Sequence, residues 1–452
     1  MINLYYDMLT ICGPVPNGIK PWEYGVTKGH YKNIPYKLTN HHSSALQPLT
    51  IFYNSMLYLK TEVTLYTGDN FANNLFYPIE ISMSAIEDVV KLIPSKTLEN
   101  IKINKLKLLL LYQDEGASLF EMSNFKKIVD QFIQYGIQQQ NIHIVLSDLH
   151  NAWQDLFGDC KVFHLDWWQF KHQVTCKSRL STTQEDNLKW ISLRNYDTPL
   201  CNIGRKRENF DLDKWTNPNK IFLSFNGNRR VHRAGFLSEL MTRNLMDHGY
   251  ISYNVYNGLN FIYDDIDSRI VDSDANPVYI ERKRKAINWL NNNNLLLDQN
   301  KTGLETDDRN YDSYYFYNTY FSVVTETFSP WENTNYPKES DILWFTEKTW
   351  KPIAIGHPFM LLGSIGTMKY LRSEGYQTYD MLFDEAYDKE INLIKRINMI
   401  ADNIQRIVDM PKNEIDSIIK DIKPILNSNK ELFYNKTHSD LISNLFKEMT
   451  NE

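Results

Sequence analysis

The sequence predicts an α/β protein made of two Rossmann-like halves and a helical C-terminal tail. Three observations predict it. Nearly unbroken apolar runs of strand length recur, Leu106–Tyr112 (LKLLLLY) and Ile142–Leu146 (IHIVL) first among them. Such runs read as strands covered on both faces. Stretches with a 3.6-residue apolar period separate them. The alternation then stops in a polar, turn-rich stretch over 177–219 and starts again, the rhythm of two doubly wound parallel sheets.

Residues 1–100 alternate turn-rich pieces (GPVPNG, TNHHSS, TGDNFANN) with strand-like segments such as Leu49–Tyr53 and Val63–Tyr66. After the 106–112 strand, SLFEMSNFKKIVDQFIQYG has helical spacing and stops at Gly136. The 142–146 strand follows, then a helix-like stretch and a third strand, Val162–Leu165. In the second half Lys220–Phe225 (KIFLSF) is a strand and NGNRRVHR a turn. Ala234–Asp247 is a helix with apolar residues at 236, 237, 240, 241 and 245, closed by Gly249. Ile251–Tyr256 is a strand, and a helix lies around 280–290. Phe321–Thr325 (FSVVT) and Pro358–Leu362 (PFMLL) are strands, with a helix after Thr346 between them. From Asp384 onward the chain reads as about three helices, broken near Pro411 and Pro424. The expected organisation is residues 1–215 as an N-terminal α/β domain, 216–383 as a second, and 384–452 as helices bracing the two.

Composition narrows the function. In 452 residues, apolar types make up 42% and charged types 23%, so the chain folds rather than staying disordered. Lys plus Arg total 49 against 55 acidic residues, a net charge of −6, which argues against a nonspecific nucleic-acid coat. The four cysteines lie far apart with no C-x-x-C pair, so no thiolate zinc site or redox dithiol is expected. The N-terminal stretch carries Asp7 and no basic leader, and no apolar run has membrane-spanning length. A cytoplasmic location is the expectation. G-x-G-x-x-G, G-x-x-x-x-G-K-[ST], H-E-x-x-H and G-x-S-x-G are all missing. This weighs against dinucleotide dehydrogenases, P-loop NTPases, zinc peptidases and serine hydrolases.

Three segments carry chemistry. The first is Asn226-Gly227-Asn228-Arg229-Arg230-Val231-His232-Arg233, past a strand and running into a helix. Cations at a helix N-terminus oppose the helix dipole. A bound phosphate resolves the conflict, because it takes both the arginine fork and the free N–H groups; the plainer reading is a solvated basic turn. The second is Phe345-Thr346-Glu347-Lys348-Thr349-Trp350. Thr346 or Thr349 caps the helix, Lys348 stands in or near its first turn, and Glu347 can accept two sugar hydroxyls. The plainer reading is a capped helix with exposed charges. The third, Val323-Val324-Thr325-Glu326-Thr327, puts a carboxylate and two hydroxyls past a buried strand.

Together, KIFLSFNGNRRVHRAGFLSEL, FSVVTETF and FTEKTWKPIAIGHPFMLLG resemble the donor-binding domain of the α-1,3-fucosyltransferase family and related glycosyltransferases with the GT-B fold. The resemblance covers roughly residues 220–365, and the Thr-Glu-Lys block with Gly-His-Pro-Phe is its most specific part. It implies an inverting, metal-independent glycosyltransferase that uses a nucleotide-diphosphate sugar as co-substrate, with no further cofactor. Arg233 (or Arg230) and Lys348 would hold the diphosphate, while Glu347 and Glu326 would line the ribose and sugar beside Thr346. The family commonly has Glu-Asn-Ser where this chain has Glu326-Thr327-Phe328. The link to Thr-Glu-Lys is also longer here, and Pro352 falls inside the expected helix, which should start late or kink. These departures resemble glycosyltransferase-like proteins of large phages, and the low-glycine, Asn/Tyr/Lys-rich composition is compatible with that origin.

The chemistry agrees with the resemblance. A leaving nucleoside diphosphate develops negative charge, and Arg, Lys and a helix N-terminus can stabilise it. The Asp pairs at 264–265 and 307–308 follow no clear strand, so no metal is expected. The acceptor hydroxyl needs a base. Glu115 and Asp114, past the 106–112 strand, and Asp148, past the 142–146 strand, are the candidates, although caps are common in such turns. Trp167-Trp168 reads as core or an acceptor platform. Arg282-Lys283-Arg284-Lys285 reads as a solvated face, or with Gly204-Arg205-Lys206-Arg207 as a polyanion-binding edge. The acceptor is a glycan or a hydroxylated nucleic-acid base, the latter making the chain a DNA-modifying enzyme. The alternative is a non-catalytic nucleotide- or sugar-binding protein on a degenerate version of the fold.

Overall fold

A computed structural model describes residues 2–5, 27–28, 35–36, 46–47, 63–66, 75–81, 89–112, 119–146, 152–165, 210–254, 276–295, 297, 313–327, 329, 343–435, 445 and 447–450. The chain divides into two compact units, Met1–Arg205 with Lys436–Glu452, and Lys206–Asn435. Both are built on parallel sheets with helical crossovers, the α/β class with two Rossmann-like units and C-terminal helices that the sequence predicts.

In the first unit the strands are β1 (Ile2–Tyr5), β2 (Thr27–Lys28), β3 (Pro35–Tyr36), β4 (Leu46–Gln47), β5 (Val63–Tyr66), β6 (Phe76–Ile81), β7 (Lys107–Tyr112), β8 (Ile142–Leu146) and β9 (Lys161–His164). The main sheet runs β5-β1-β6-β7-β8-β9, parallel throughout. β1 reaches β6 only at Phe76, and the far end of the same β6 edge is taken by antiparallel β4. β2 and β3 form a separate antiparallel pair. The crossovers contain α1 (Ser95–Lys102), α2 (Leu119–Tyr135) and α3 (Ala152–Phe157). Leu108–Leu111 and Ile142, Ile144, Val145 and Leu146 are buried, as expected for a sheet covered on both faces. α2 buries Met122, Phe125, Ile128, Val129 and Phe132, one stripe at helical spacing. Full burial of each such side chain is worth about 1.5–3 kcal/mol. Leu49–Tyr53 and Trp167-Trp168 lie outside the described residues.

The second unit has β10 (Lys220–Asn228), α4 (Val231–Thr242), β11 (Gly249–Asn254), α5 (Pro277–Asn292), α6 (Ser313–Tyr317), β12 (Thr319–Thr325), α7 (Glu347–Ile355), β13 (Phe359–Leu362), α8 (Thr367–Ser373), α9 (Leu393–Val408) and α10 (Lys412–Asn435). Its sheet is parallel, in the order β11-β10-β12-β13. The chain therefore leaves β10 toward one side and β12 toward the other. The point where the order reverses lies between these neighbours, and open α/β sheets bind ligands there, beyond the carboxyl ends of the strands.

Three elements differ from expectation. α4 begins at Val231 and stops at Thr242, because Asn244 takes a left-handed φ of 60° and turns the chain before Gly249 is reached. α7 starts directly after Thr346 and carries Pro352 within it; Gly356, at φ 85°, ends it. α10 continues through Pro424, where a break was expected. A single proline removes one backbone bond, and the buried stripe of Ile415, Ile419, Ile422, Leu426 and Phe433 spans the site and holds the helix together. The break at Pro411 is present, between α9 and α10. No helix among the described residues is long and apolar enough to cross a membrane.

Candidate active site

The carboxyl ends of β10, β12 and β13 and the N-termini of α4 and α7 bring together most of the predicted donor-side residues. Glu326, first past β12, is fully buried. Its Oε1 accepts from the Thr346 N–H at 3.0 Å and from the Thr349 hydroxyl. Its Oε2 accepts from Thr346 Oγ1 at 2.6 Å and the Thr327 N–H at 3.0 Å. Thr346 Oγ1 in turn caps α7 by accepting from Lys348 N at 3.2 Å. A carboxylate at a helix N-terminus is favoured by the dipole. Glu326, expected to line the ribose and sugar, thus has both oxygens engaged by protein donors. It acts as the anchor of the α7 N-terminus.

The backbone carbonyl of Glu326 collects donors from α4. Arg233 Nη2 donates to it at 3.0 Å and to the Thr325 carbonyl at 3.2 Å. His232 Nε2 lies 2.7 Å from the same carbonyl. A carbonyl only accepts, so Nε2 carries the proton. Burial, helped by the Arg233 charge, pushes this imidazole down to about 3, so it stays neutral. Arg233 is 3% exposed. Arg230 is exposed at the N-cap of α4, where no side chain caps the helix. Lys348 Nζ turns back to β12, donating to Thr327 Oγ1 at 3.2 Å. Glu347 is the first residue of α7.

A neutral network supports the floor. Thr325 Oγ1 donates to Asn226 Oδ1 at 2.7 Å, and Asn226 Nδ2 donates to Ser224 Oγ at 3.0 Å. This fastens β10 to β12 at the reversal point. Arg229 Nε reaches Asn291 Oδ1 on α5 at 2.9 Å, tying the turn to that helix. Gly363, just past β13, packs against Glu326; a Cβ there would stand 3.1 Å from Glu326 Cβ and Cγ.

Arg396 is a cation that the sequence reading missed. It lies in the first turn of α9, is 1% exposed, and donates Nε to the Glu390 carbonyl at 3.0 Å and Nη1 to the Gly363 carbonyl. Its signal was available: it falls on the stripe Leu393, Ile397, Ile400, Ile404, Ile407, where only apolar residues belong.

Glu115, Asp114 and Asp148, the candidate bases, lie outside the described residues, as do the Asp pairs at 264–265 and 307–308 and the Gly204–Arg207 run. Among the described residues no group of three or more His, Cys, Asp and Glu side chains could hold a metal. In the Arg282–Lys285 run only Lys283 is buried, paired with Glu239 at 2.8 Å. A cavity of about 840 Å³ lined by Phe210, Leu212, Lys214, Tyr317, Asn427 and Lys430 lies beside the amino ends of β10 and β12, away from this cluster.

No family model matches the chain, and no curated protein matches it. Among solved structures, an α,α-trehalose-6-phosphate synthase from Burkholderia multivorans is similar at 11% identity. The likeness spans 84% of this chain and 72% of that one, with a TM-score of 0.32. A UDP-forming α,α-trehalose-phosphate synthase from Burkholderia vietnamiensis is similar at 11% identity over 87% and 77%, with a TM-score of 0.32. Likeness that low transfers nothing, and the site's own residues bear the functional reading.

Proposed function

We propose that the chain is a glycosyltransferase that moves a sugar from a nucleoside-diphosphate sugar to an acceptor hydroxyl. The observation that carries this reading is the gathering of Arg233, Lys348 and Arg230 at two helix N-termini, at the point where the strand order of a parallel sheet reverses. Glu326 is the carboxylate at their centre, and its oxygens are already bonded. Cations at the positive ends of helices are unfavourable until an anion arrives. A diphosphate suits the arginine forks, the lysine and the uncapped N–H groups of α4 together.

In this reading Arg233, Lys348 and Arg230 hold the diphosphate and stabilise the charge that develops on it as its bond to the sugar breaks. Each such donor is typically worth about 2.7–4 kcal/mol in the transition state. Glu347 accepts from ribose or sugar hydroxyls in this reading, and Glu326 and Thr346 set the start of the helix that carries Lys348. Transfer inverts the anomeric centre, and the cations do the work of charge neutralisation without a metal. Residues 216–383 form the donor side. The acceptor side is 1–215, with Glu115, Asp148 or Asp114 as the base, and the acceptor is a glycan or a hydroxylated base of nucleic acid.

Thermal unfolding with GDP, UDP, CDP, ADP, dTDP and CMP, each with and without EDTA, tests the reading. A ligand at 100 times its Kd stabilises by about 2.7 kcal/mol. The expected result is a shift with one nucleoside diphosphate, indifferent to EDTA and lost in Lys348→Ala. No shift with any nucleotide on a folded protein overturns it.

A further inference from the structure

We propose that Arg396, contributed by a helix beyond the parallel sheet and its crossovers, is a phosphate-binding residue of this site, its Nη2 donating to the bound diphosphate. The inference rests on the nucleoside-diphosphate reading and deepens it. Arg396 is 1% exposed, and among the described residues its Nη2 has no hydrogen-bond partner. Two of its three nitrogens are spent holding the guanidinium in place: Nε on the Glu390 carbonyl, Nη1 on the Gly363 carbonyl at the carboxyl end of β13. The third nitrogen, on the same carbon as Nη1, therefore stands at that edge of the sheet as well.

The nearby carboxylates leave it unanswered. Asp388 accepts from the N–H groups of Met368 and Lys369 at 3.0 and 3.1 Å, capping α8. Glu390 Oε1 accepts from Asn392 N at 2.8 Å. Both lie near enough to favour the charged guanidinium, yet burial dominates and pushes Arg396 down to about 10. Arg396 also belongs to the cluster around Glu326. Gly363, whose carbonyl it holds, packs directly on the Glu326 side chain, and its charge is felt at the His232 ring on α4. α9 packs on α4, β10 and β13, the elements that carry the site. A buried donor without a partner costs free energy that a phosphoryl oxygen recovers. Like Arg233, Arg396 is a buried cation in the first turn of a helix, a position where a bound anion is favoured.

The test measures the affinity of wild type, Arg396→Gln and Arg396→Lys for inorganic pyrophosphate, for the nucleoside diphosphate that stabilises wild type, and for its nucleoside. Arg396→Gln is expected to weaken pyrophosphate and the diphosphate by about tenfold to a hundredfold, leaving the nucleoside unchanged, with Arg396→Lys partly restoring binding. Equal affinities in wild type and Arg396→Gln, or equal losses for nucleoside and diphosphate, overturn the assignment while leaving the donor site standing. Failure of wild type to bind either phosphate overturns both. If Arg396→Gln does not fold, a crystal structure of wild type with pyrophosphate decides: Nη2 within about 3.2 Å of a phosphoryl oxygen supports the assignment, and Nη2 apart from the ligand rejects it.

Discussion

Thr346 fastens both oxygens of the buried Glu326 carboxylate, its N–H 3.0 Å from Oε1 and its hydroxyl 2.6 Å from Oε2. Its other partners among the described residues, Thr327 N and Thr349 Oγ1, are also donors. An amide in the same place offers one acceptor oxygen and turns two N–H donors toward groups that themselves donate. Glu326→Gln is expected to destabilise the protein by roughly 2–4 kcal/mol, the scale of a broken buried network. Chemical denaturation reads this directly. A loss below about 0.5 kcal/mol, the scale of an ordinary surface change, would show that the carboxylate is not what anchors α7.

The Arg282–Lys285 run separates by helical phase. Lys283 points inward to Glu239, both nearly fully buried, while Arg282 is exposed and Arg284 and Lys285 pair at the surface with Glu281. Lys283→Ala leaves Glu239 with Arg243, 2.6 Å away, as its one ion-pair partner among the described residues, and should cost about 3–5 kcal/mol. Arg282→Ala should fall within about 0.5 kcal/mol. Equal costs at the two positions would contradict the burial of Lys283.

That contrast shows what the sequence can and cannot carry. Most strands of the two sheets were legible because a doubly covered strand is nearly continuous in apolar residues, as in LLLLY or FSVV, whereas β1, β4 and β6 of the first sheet escaped the sequence reading. The gathering of Arg233 and Lys348 was legible because cations at helix starts violate a local rule. The engagement of Glu326 was not, since nothing in VVTETF says that two threonines 20 and 23 residues later will take its oxygens. The start of α4 was misplaced for the same reason. Arg230, His232 and Arg233 look like a solvated turn until the Glu326 carbonyl is there to bury two of them. Pro424 signalled a break that the packing of a whole helix face overrode.

Three buried imidazoles make stability depend on acid. His143, His232 and His357 are each pushed down to about 3, in every case chiefly by burial, which disfavours the charged ring. His357 is fixed as a neutral ring, accepting from Ser322 Oγ at 2.9 Å and donating to the Thr319 carbonyl at 3.2 Å. The unfolded chain takes up these protons near the ordinary histidine value of about 6.5. Their contribution is therefore complete above about pH 6.5 and is lost as pH falls toward 3, at about 1.4 kcal/mol per histidine per pH unit. Denaturant unfolding at pH 7, 6, 5 and 4.5 should show the slope steepen below pH 6.5, and His357→Gln should remove about one proton from the uptake at pH 5. An unchanged uptake in that variant would mean that His357 titrates alike in both states.

Two glycines test whether the Glu326 anchor and the ligand are linked. A Cβ on Gly249 would meet the Phe222 ring at 2.5 Å, within the sheet and away from the cation cluster. A Cβ on Gly363 would meet Leu361 Cδ2 at 2.8 Å and the Glu326 side chain at 3.1 Å. Either alanine overpacks its surroundings, an effect typically costing about 1–3 kcal/mol. They should differ in ligand response. Gly363→Ala displaces Glu326, and with it the start of α7 that presents Lys348, so nucleotide-dependent stabilisation should shrink. Gly249→Ala should lose stability while keeping the full ligand-induced shift. Melting temperatures of both variants, with and without the diphosphate that stabilises wild type, make the comparison. A Gly363→Ala protein that keeps the whole shift would uncouple Glu326 from the phosphate site, leaving the Glu326–Thr346 contact a matter of stability alone.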